Sequence, residues 1–484
     1  MKQTEEGVIT VYLSIMLILV LGFLGGMLEG SRYYGAYWNG NVATHSSVSS
    51  VFAGYDRQLL DHYGLLLLNA GYEEEFFQGS KIEEELQTYI DSYVEPTKDK
   101  TFLSGGNFLG SLKKAVNIDK YYLATDNKGL YFKDAVVDYM KYEIVGDIGK
   151  GLLDKIGIIK EGLETKEEID NNSQKAQEAI DSYLEEKEKT GKKQRDETIF
   201  LSLYEQLQKG YLSYILSDEK KISDKQLNKE GLPSSIMEKT NWFQLDFDIS
   251  IIPEELIFNE YVISYLNNFS DKKESGGLLY EQEYVIFGQE KDIDNLTSAV
   301  TLLFVIRAGL NGAYLLKDTV KMGIAQTVGY TIATLLASPQ LGDGITYFII
   351  GLWAMAEAIT DVNGLLSGKQ VPLMKTSESW NLDLVGLVAF VSGQRDFCKE
   401  SDDGFSYKDY LRLFLLFTNP TEKYYKTMDM IQENMCEINP NFRFSNCVYG
   451  LEGYATFLVS PVFQTFSLYP LKSKEFNVSF GKTY

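Results

Sequence analysis

The sequence predicts an α+β protein. A single N-terminal transmembrane helix continues as a stalk helix into a mixed helical and β-rich extracytoplasmic body. Three observations predict it. Residues 8–28 form an apolar run without a charge. The middle of the chain holds long segments with apolar residues at helical spacing, and from Phe442 onward β-branched and aromatic residues alternate.

The first element is Val8 to Leu28, VITVYLSIMLILVLGFLGGML. As a helix this run spans ~31 Å, close to the hydrocarbon thickness of a bilayer. The preceding residues, 1–7, carry one Lys against two Glu and read as a short cytoplasmic tail. They lack the basic character of a signal peptide, and Met27-Leu28-Glu29-Gly30-Ser31-Arg32 offers no small-x-small cleavage site. The flanking charges are too balanced to set orientation. Gly22, Gly26 and Gly30 recur every fourth residue, with Gly25 beside them, so they form one face on which another helix can approach closely. Residues 29–63 contain no proline and read as a stalk helix stopped by Gly64. His45 and His62 lie on different faces of it, as polar stalk positions.

Residues 64–150 read as the first part of the body. It comprises a buried strand at Leu65–Asn69, a helix at Lys81–Tyr93 ended by Pro96, a loop containing Gly105, Gly106 and Gly110, and a helix over Phe132–Val145. Residues 151–225 are dense in Glu, Lys and Gln with a thin apolar stripe, and read as a charged helical insertion projecting from the body. Residues 226–484 form the remainder. Trp242–Ile252 and Leu279–Phe287 read as strands, with a helix over Glu254–Asn267 between them. Leu296–Leu316, Thr327–Leu336 and Ile345–Thr360 read as a buried helical core. The last of these has sixteen residues and includes Glu357, too short and too charged to span a bilayer. Tyr407–Phe417 and Thr421–Met435 read as helices, and Tyr454–Val459, Val462–Leu468 and Phe476–Phe480 as a β-rich end.

Composition narrows the function. At 484 residues and 44% apolar, the chain can bury more than one core, and its net charge of −22 argues against nucleic acid as a partner. Two histidines argue against a His-rich metal site. No metalloprotease, phosphate-loop, nucleophile-elbow or calcium-loop motif occurs, so no catalytic, cofactor or metal residues are expected and the chain reads as a non-enzyme. The acidic runs Glu73–Glu75 and Glu83–Glu85 read as solvated faces. Cys436 and Cys447 flank Asn439-Pro440-Asn441, a turn that could bring them together as a disulfide; free buried thiols are the alternative.

The stretch from Glu6 to Tyr34, EGVITVYLSIMLILVLGFLGGMLEGSRYY, resembles the anchor of TadE/TadG-like proteins of the tight-adherence (Tad, or Flp) pilus system. The likeness rests on Gly7, the apolar run from Val8, and the exit Glu29-Gly30-Ser31-Arg32. The rest is similar to a larger bacterial family of anchored proteins of unknown function encoded with such loci. Tyr55–Leu60, Asp138–Tyr142, Tyr280–Gly288, Val371–Leu373, Tyr407–Leu411 and Phe442–Cys447 carry that similarity. The resemblance implies a pseudopilin-like or assembly component of a type IVc pilus with a structural or adhesive role. Its bulk would lie outside the cell membrane, and its partners would be the membrane and other pilin-like subunits or assembly proteins. It also marks Gly7–Val8 as a bond for prepilin processing, although Tyr12 stands where prepilins of that system usually carry Glu. An envelope scaffold or binding module unrelated to pili, or an anchored hydrolase, are the rival readings.

Overall fold

The computed structural model describes residues 2–72, 74–94, 111–141, 150–189, 210–216, 222–237, 253–272, 277–335, 338–383, 386, 398–401, 404–461 and 472–484. It is a mixed helix-and-strand protein that divides into two compact units, residues 1–136 with 435–484, and residues 137–434. The expected Trp242–Ile252 and Val462–Leu468 strands, the glycine-containing loop at 105–110 and residues 190–209 and 217–221 of the charged segment fall outside the described residues.

In the first unit, α1 (Lys2–Phe52) is one uninterrupted helix. Its apolar first half lies open, whereas Ala36, Ala43, Val48, Val51 and Phe52 are buried. The sequence reading of one exposed stalk to residue 63 is thus corrected twice. One face of the second half is core, and the helix stops at Phe52. A separate helix, α2 (Arg57–Tyr63), starts because the Asp56 side chain accepts from the Gln58 and Leu59 N–H groups, and Gly64 ends it at φ 68°. After the short strand β1 (Leu68–Asn69) comes α3 (Gly79–Val94), which buries Ile82, Leu86, Ile90 and Val94 at four-residue spacing.

The strand β2 (Ser111–Leu123) was not expected. Three register shifts, at Lys113/Ala115, Ile118/Lys120 and Tyr122/Leu123, break the two-residue alternation that marks a strand in sequence. A turn with Asn127 and Lys128 at positive φ leads into α4 (Leu130–Met140). The central strand of the sheet is β3 (Cys447–Val459), antiparallel to β1, to β2 and to β4 (Lys474–Thr483). In β4, Phe476, Val478 and Phe480 are buried while Glu475, Asn477 and Ser479 face out, so the sheet has one wet face. Its dry face forms a single core with α1 and α3. Gly40 makes the close approach possible, because a Cβ there would stand 3.0 Å from the Phe476 ring.

The second unit is helical. It contains α5 (Lys150–Lys189), α6 (Pro253–Tyr265), α7 (Glu281–Phe287), α8 (Asp292–Lys317), α9 (Thr319–Leu335), α10 (Gly342–Leu366), α11 (Tyr407–Phe417) and most of α12 (Pro420–Ile438). The charged segment does not project as a separate insertion over its first half. There α5 packs on α8 and α10 and buries Ile156, Ile159, Ile169 and Ser173. Glycines permit this: a Cβ on Gly309 would lie 2.4 Å from the Gly162 carbonyl oxygen.

Leu279–Phe287, expected as a strand, contains a helix whose seven residues are all buried. Burial all round removes the one-sided pattern by which a surface helix is recognised. Asp292 accepts from the Leu279 and Tyr280 N–H groups just before that helix. The three expected helices are present and longer than read, but only α8 and α10 are core. In α9, Ala325, Gly329 and Ala333 are buried while Val320, Ile324, Tyr330 and Leu335 stand exposed, so its apolar run is corrected from core to a largely open surface helix. Besides the N-terminal helix, α8 and residues 339–366 also have the length and apolarity to cross a membrane, at mean hydropathies of 1.6 and 1.4. Within the protein their apolar windows are 72% and 94% buried.

Candidate functional site

The residues singled out by the sequence lie on α1. Gly22 is half-buried and Gly26 and Gly30 are exposed; a Cβ on Gly26 or Gly30 would meet no atom within 4 Å. The rest of the chain leaves the Gly26 and Gly30 part of this face open. Gly7 is likewise in open space, with Val8 exposed beside it in the same helix.

The helix carries two charges between Gly7 and Phe52, Glu29 and Arg32, and they serve each other. The Arg32 guanidinium is buried, binds the Glu29 carboxylate at 2.5 Å and also donates to the Ser460 carbonyl. That carbonyl lies one residue past β3, so Arg32 ties the sheet to the helix four residues after its apolar run. A buried guanidinium needs this full set of acceptors. His45 and His62 are exposed, in keeping with polar positions.

The proposed Cys436–Cys447 bridge does not form. Neither thiol is in a disulfide. Cys447 opens the central strand with its side chain in the core, and its Sγ donates to the Arg443 carbonyl. The Cys436 thiol instead donates to Phe442 O at 3.4 Å. Each thiol thus meets a carbonyl of the 442–443 stretch, just before the 3₁₀ turn at Phe444–Asn446, rather than the other sulfur.

Of the acidic runs, Glu84 and Glu85 line an open groove of about 380 Å³ with Tyr72, Lys81, Thr88 and Tyr89. Lys81 stands 5.3 Å from the Tyr72 ring centre and 3.8 Å from Glu74, so the groove carries its own cation. Among the described residues no group of three or more His, Cys, Asp or Glu is placed to hold a metal ion.

Sequence reasoning missed a buried ionic cluster in the second unit. Arg307 of α8 binds Asp361 of α10 through Nε and Nη2, at 3.1 and 2.7 Å, and donates to the Pro372 and Leu373 carbonyls. Lys375 bridges Glu357 at 2.8 Å and Asp361 at 2.7 Å. Asn311 and Asn381 donate to Asp361, and the Leu382 N–H donates to Glu357. Two cations face two anions, and all four are buried. Such a balanced set fixes geometry and offers no free group for chemistry. It pins the segment 372–382 to two helices. The sequence signal was three charged residues inside apolar helical runs, which read only as interruptions.

Two further buried carboxyls stand apart from that cluster. Desolvation pushes Glu283 up to about 7, against hydrogen bonds from Phe269 N and Tyr407 Oη that hold it down. Burial likewise raises Asp429 to about 6, although Ser234 N and Tyr284 Oη donate to it.

No curated protein matches the chain, and no solved structure does. One family model matches residues 188–458, more than half of the chain, and its description is a family of unknown function, DUF5702. The chain belongs to that family.

Proposed function

We propose that this protein is a membrane-anchored, pseudopilin-like or assembly component of a Tad-type pilus. It is held by α1 in the cell membrane as a single-pass protein with its body outside the cytoplasm, and its role is structural. The observation that carries the reading is α1 itself. An apolar helix with the Gly7 and Glu29–Arg32 flanks of a TadE/TadG-like anchor runs unbroken into a core beneath an antiparallel sheet. That arrangement couples whatever the anchor packs against directly to the body. The glycine face is the surface offered to neighbouring anchors, since lipid supplies no hydrophobic drive between helices and close packing must supply it.

Carbonate extraction tests the anchor. The full chain stays with the membrane, and a chain begun at Ser31 is released. Retention of the shortened chain would instead assign a span to α8 or residues 339–366. Protease added to intact protoplasts digests the body; full protection there reverses the topology. For the pilus reading, Gly26→Leu reaches the membrane at the normal level yet loses co-purification with pilin-like subunits and surface fibres. Normal partner recovery and fibres in the Gly26 variant would end the pilus assignment of this face.

A further inference from the structure

Beyond the membrane, α1 has a feature that the anchor reading does not use. From Tyr33 to Phe52 it carries no Asp, Glu, Lys or Arg, in a chain that is 24% charged. One side of this stretch is core. The other holds Tyr34, 74% exposed, and Trp38, 72% exposed. Phe23 and Met27 are open by 68% and 58% in the apolar half. With Gly30 as origin and ~100° per residue, Phe23, Met27, Tyr34 and Trp38 fall at about 20°, 60°, 40° and 80° on one side, and Gly26 at about −40°. Ala36, Ala43 and Ser47 fall about 100–140° the other way and are buried, and the core reaches the stripe's side only in the last turn, at Val48 and Phe52, beyond Trp38.

We infer that this stripe is a parallel helix–helix interface between two copies of the chain, crossing at Gly26 and Gly30 and closed outside the membrane by Tyr34 and Trp38. The inference deepens the anchor part of the pilus reading and stands without the pilus part.

Lipid does not account for the two rings. Trp38 lies ~15 Å along the helix beyond Leu28, and the headgroup layer extends only about 5–8 Å beyond the hydrocarbon. Tyr34, at ~9 Å, stands just beyond that layer. A second copy fits on three grounds. Both copies insert with the same orientation, so identical residues meet. Across the stripe there is no charge, because Glu29 and Arg32 are paired on the packed side, and the net charge of −22 therefore adds no contact repulsion there. The size pattern also matches the geometry of a small-residue crossing. Axes crossing by about 40° at the glycines have splayed about 10 Å sideways at Trp38, a gap that paired rings fill. Three rings mostly open, with Met27, bury about 1,000 Å² over two copies, the size at which a specific interface begins.

The test is oxidative cross-linking of the full chain in its membrane, with the unsubstituted protein as the baseline for its three native thiols. Tyr34→Cys, the stripe position outside the membrane nearest the crossing, gives covalent dimer at five or more times the yield of Leu28→Cys, which lies about 100° away from the stripe. Adding Gly30→Leu to Tyr34→Cys cuts that yield several-fold while membrane recovery stays normal. Monomer only, equal yield at Leu28, or an adduct with the mass of another protein overturns the inference. Dimer without any effect of these changes on fibres would count against the pilus reading and leave the interface intact.

Discussion

Glu283 shows what full burial does to one carboxyl. Its Oε1 accepts two hydrogen bonds, while Oε2 has no partner among the described residues. The unfolded group titrates at its ordinary 4.5 and the folded one at about 7. Below the lower value both states hold the proton and the group is neutral to stability. Between the two, the folded state binds the extra proton, so stability falls as pH rises, and above 7 the whole cost of a buried charge is present. That cost is about 3 kcal/mol for a shift of this size. Asp429, raised to about 6, acts with the same sign. Urea unfolding is therefore expected to give lower stability at pH 8 than at pH 5, and Glu283→Gln is expected to remove most of its own share and be the more stable protein at pH 8. Equal pH dependence in both proteins would refute this. The thiols allow a second check: burial raises Cys447 well above the ordinary range, so non-reducing peptide mapping should find Cys436 and Cys447 unbridged, with Cys447 alkylated only after unfolding. Residue spacing around Asn439–Asn441 showed a turn; it could not show that each sulfur would meet a carbonyl first.

Among the elements, the helices of the second unit are set by how closely their backbones approach. At the α5–α8 crossing a Cβ on Gly162 would come within 2.7 Å of Leu310, and one on Gly309 would strike the Gly162 carbonyl. Gly309→Ala must push the helices apart and should cost roughly 1–3 kcal/mol. Gly157→Ala, on the same α5 with nothing within 4 Å, should stabilise by roughly 0.5–1 kcal/mol through helix propensity. Thermal unfolding of the two variants should shift in opposite directions, and a shift of the same sign would remove the close-packing account. Helices with one apolar stripe, such as α3 and α11, were legible from their spacing. The strand β2 was not, because its bulges scramble the alternation, and α7 was not, because a helix buried on every side has no face to betray it.

At the scale of the molecule, the first unit is assembled from the two ends of the sequence, and the second from the stretch between them. The β-rich end and the apolar beginning were both legible locally. That they share one core was not, since pairing between β2 and β3 is a long-range choice that no local pattern encodes. Removing residues from Cys447 onward takes out the central strand, and limited proteolysis should then cut α3 and the Ala36–Phe52 stretch while α8 and α10 stay protected. Protection of α3 in that truncated chain would mean the first unit does not need its sheet. The same topology sets a clock on biosynthesis. Roughly 320 residues separate Leu123 from Cys447, and at 5–20 residues per second a ribosome needs roughly a quarter of a minute to a minute to make them. Throughout that interval α1 is already available to the membrane, while β2 and α3 wait with an apolar face uncovered. A nascent chain of this design is most vulnerable to aggregation and to quality-control proteases at its oldest end, and a chaperone that shields residues 79–123 would do more for its yield than one acting on the helical middle.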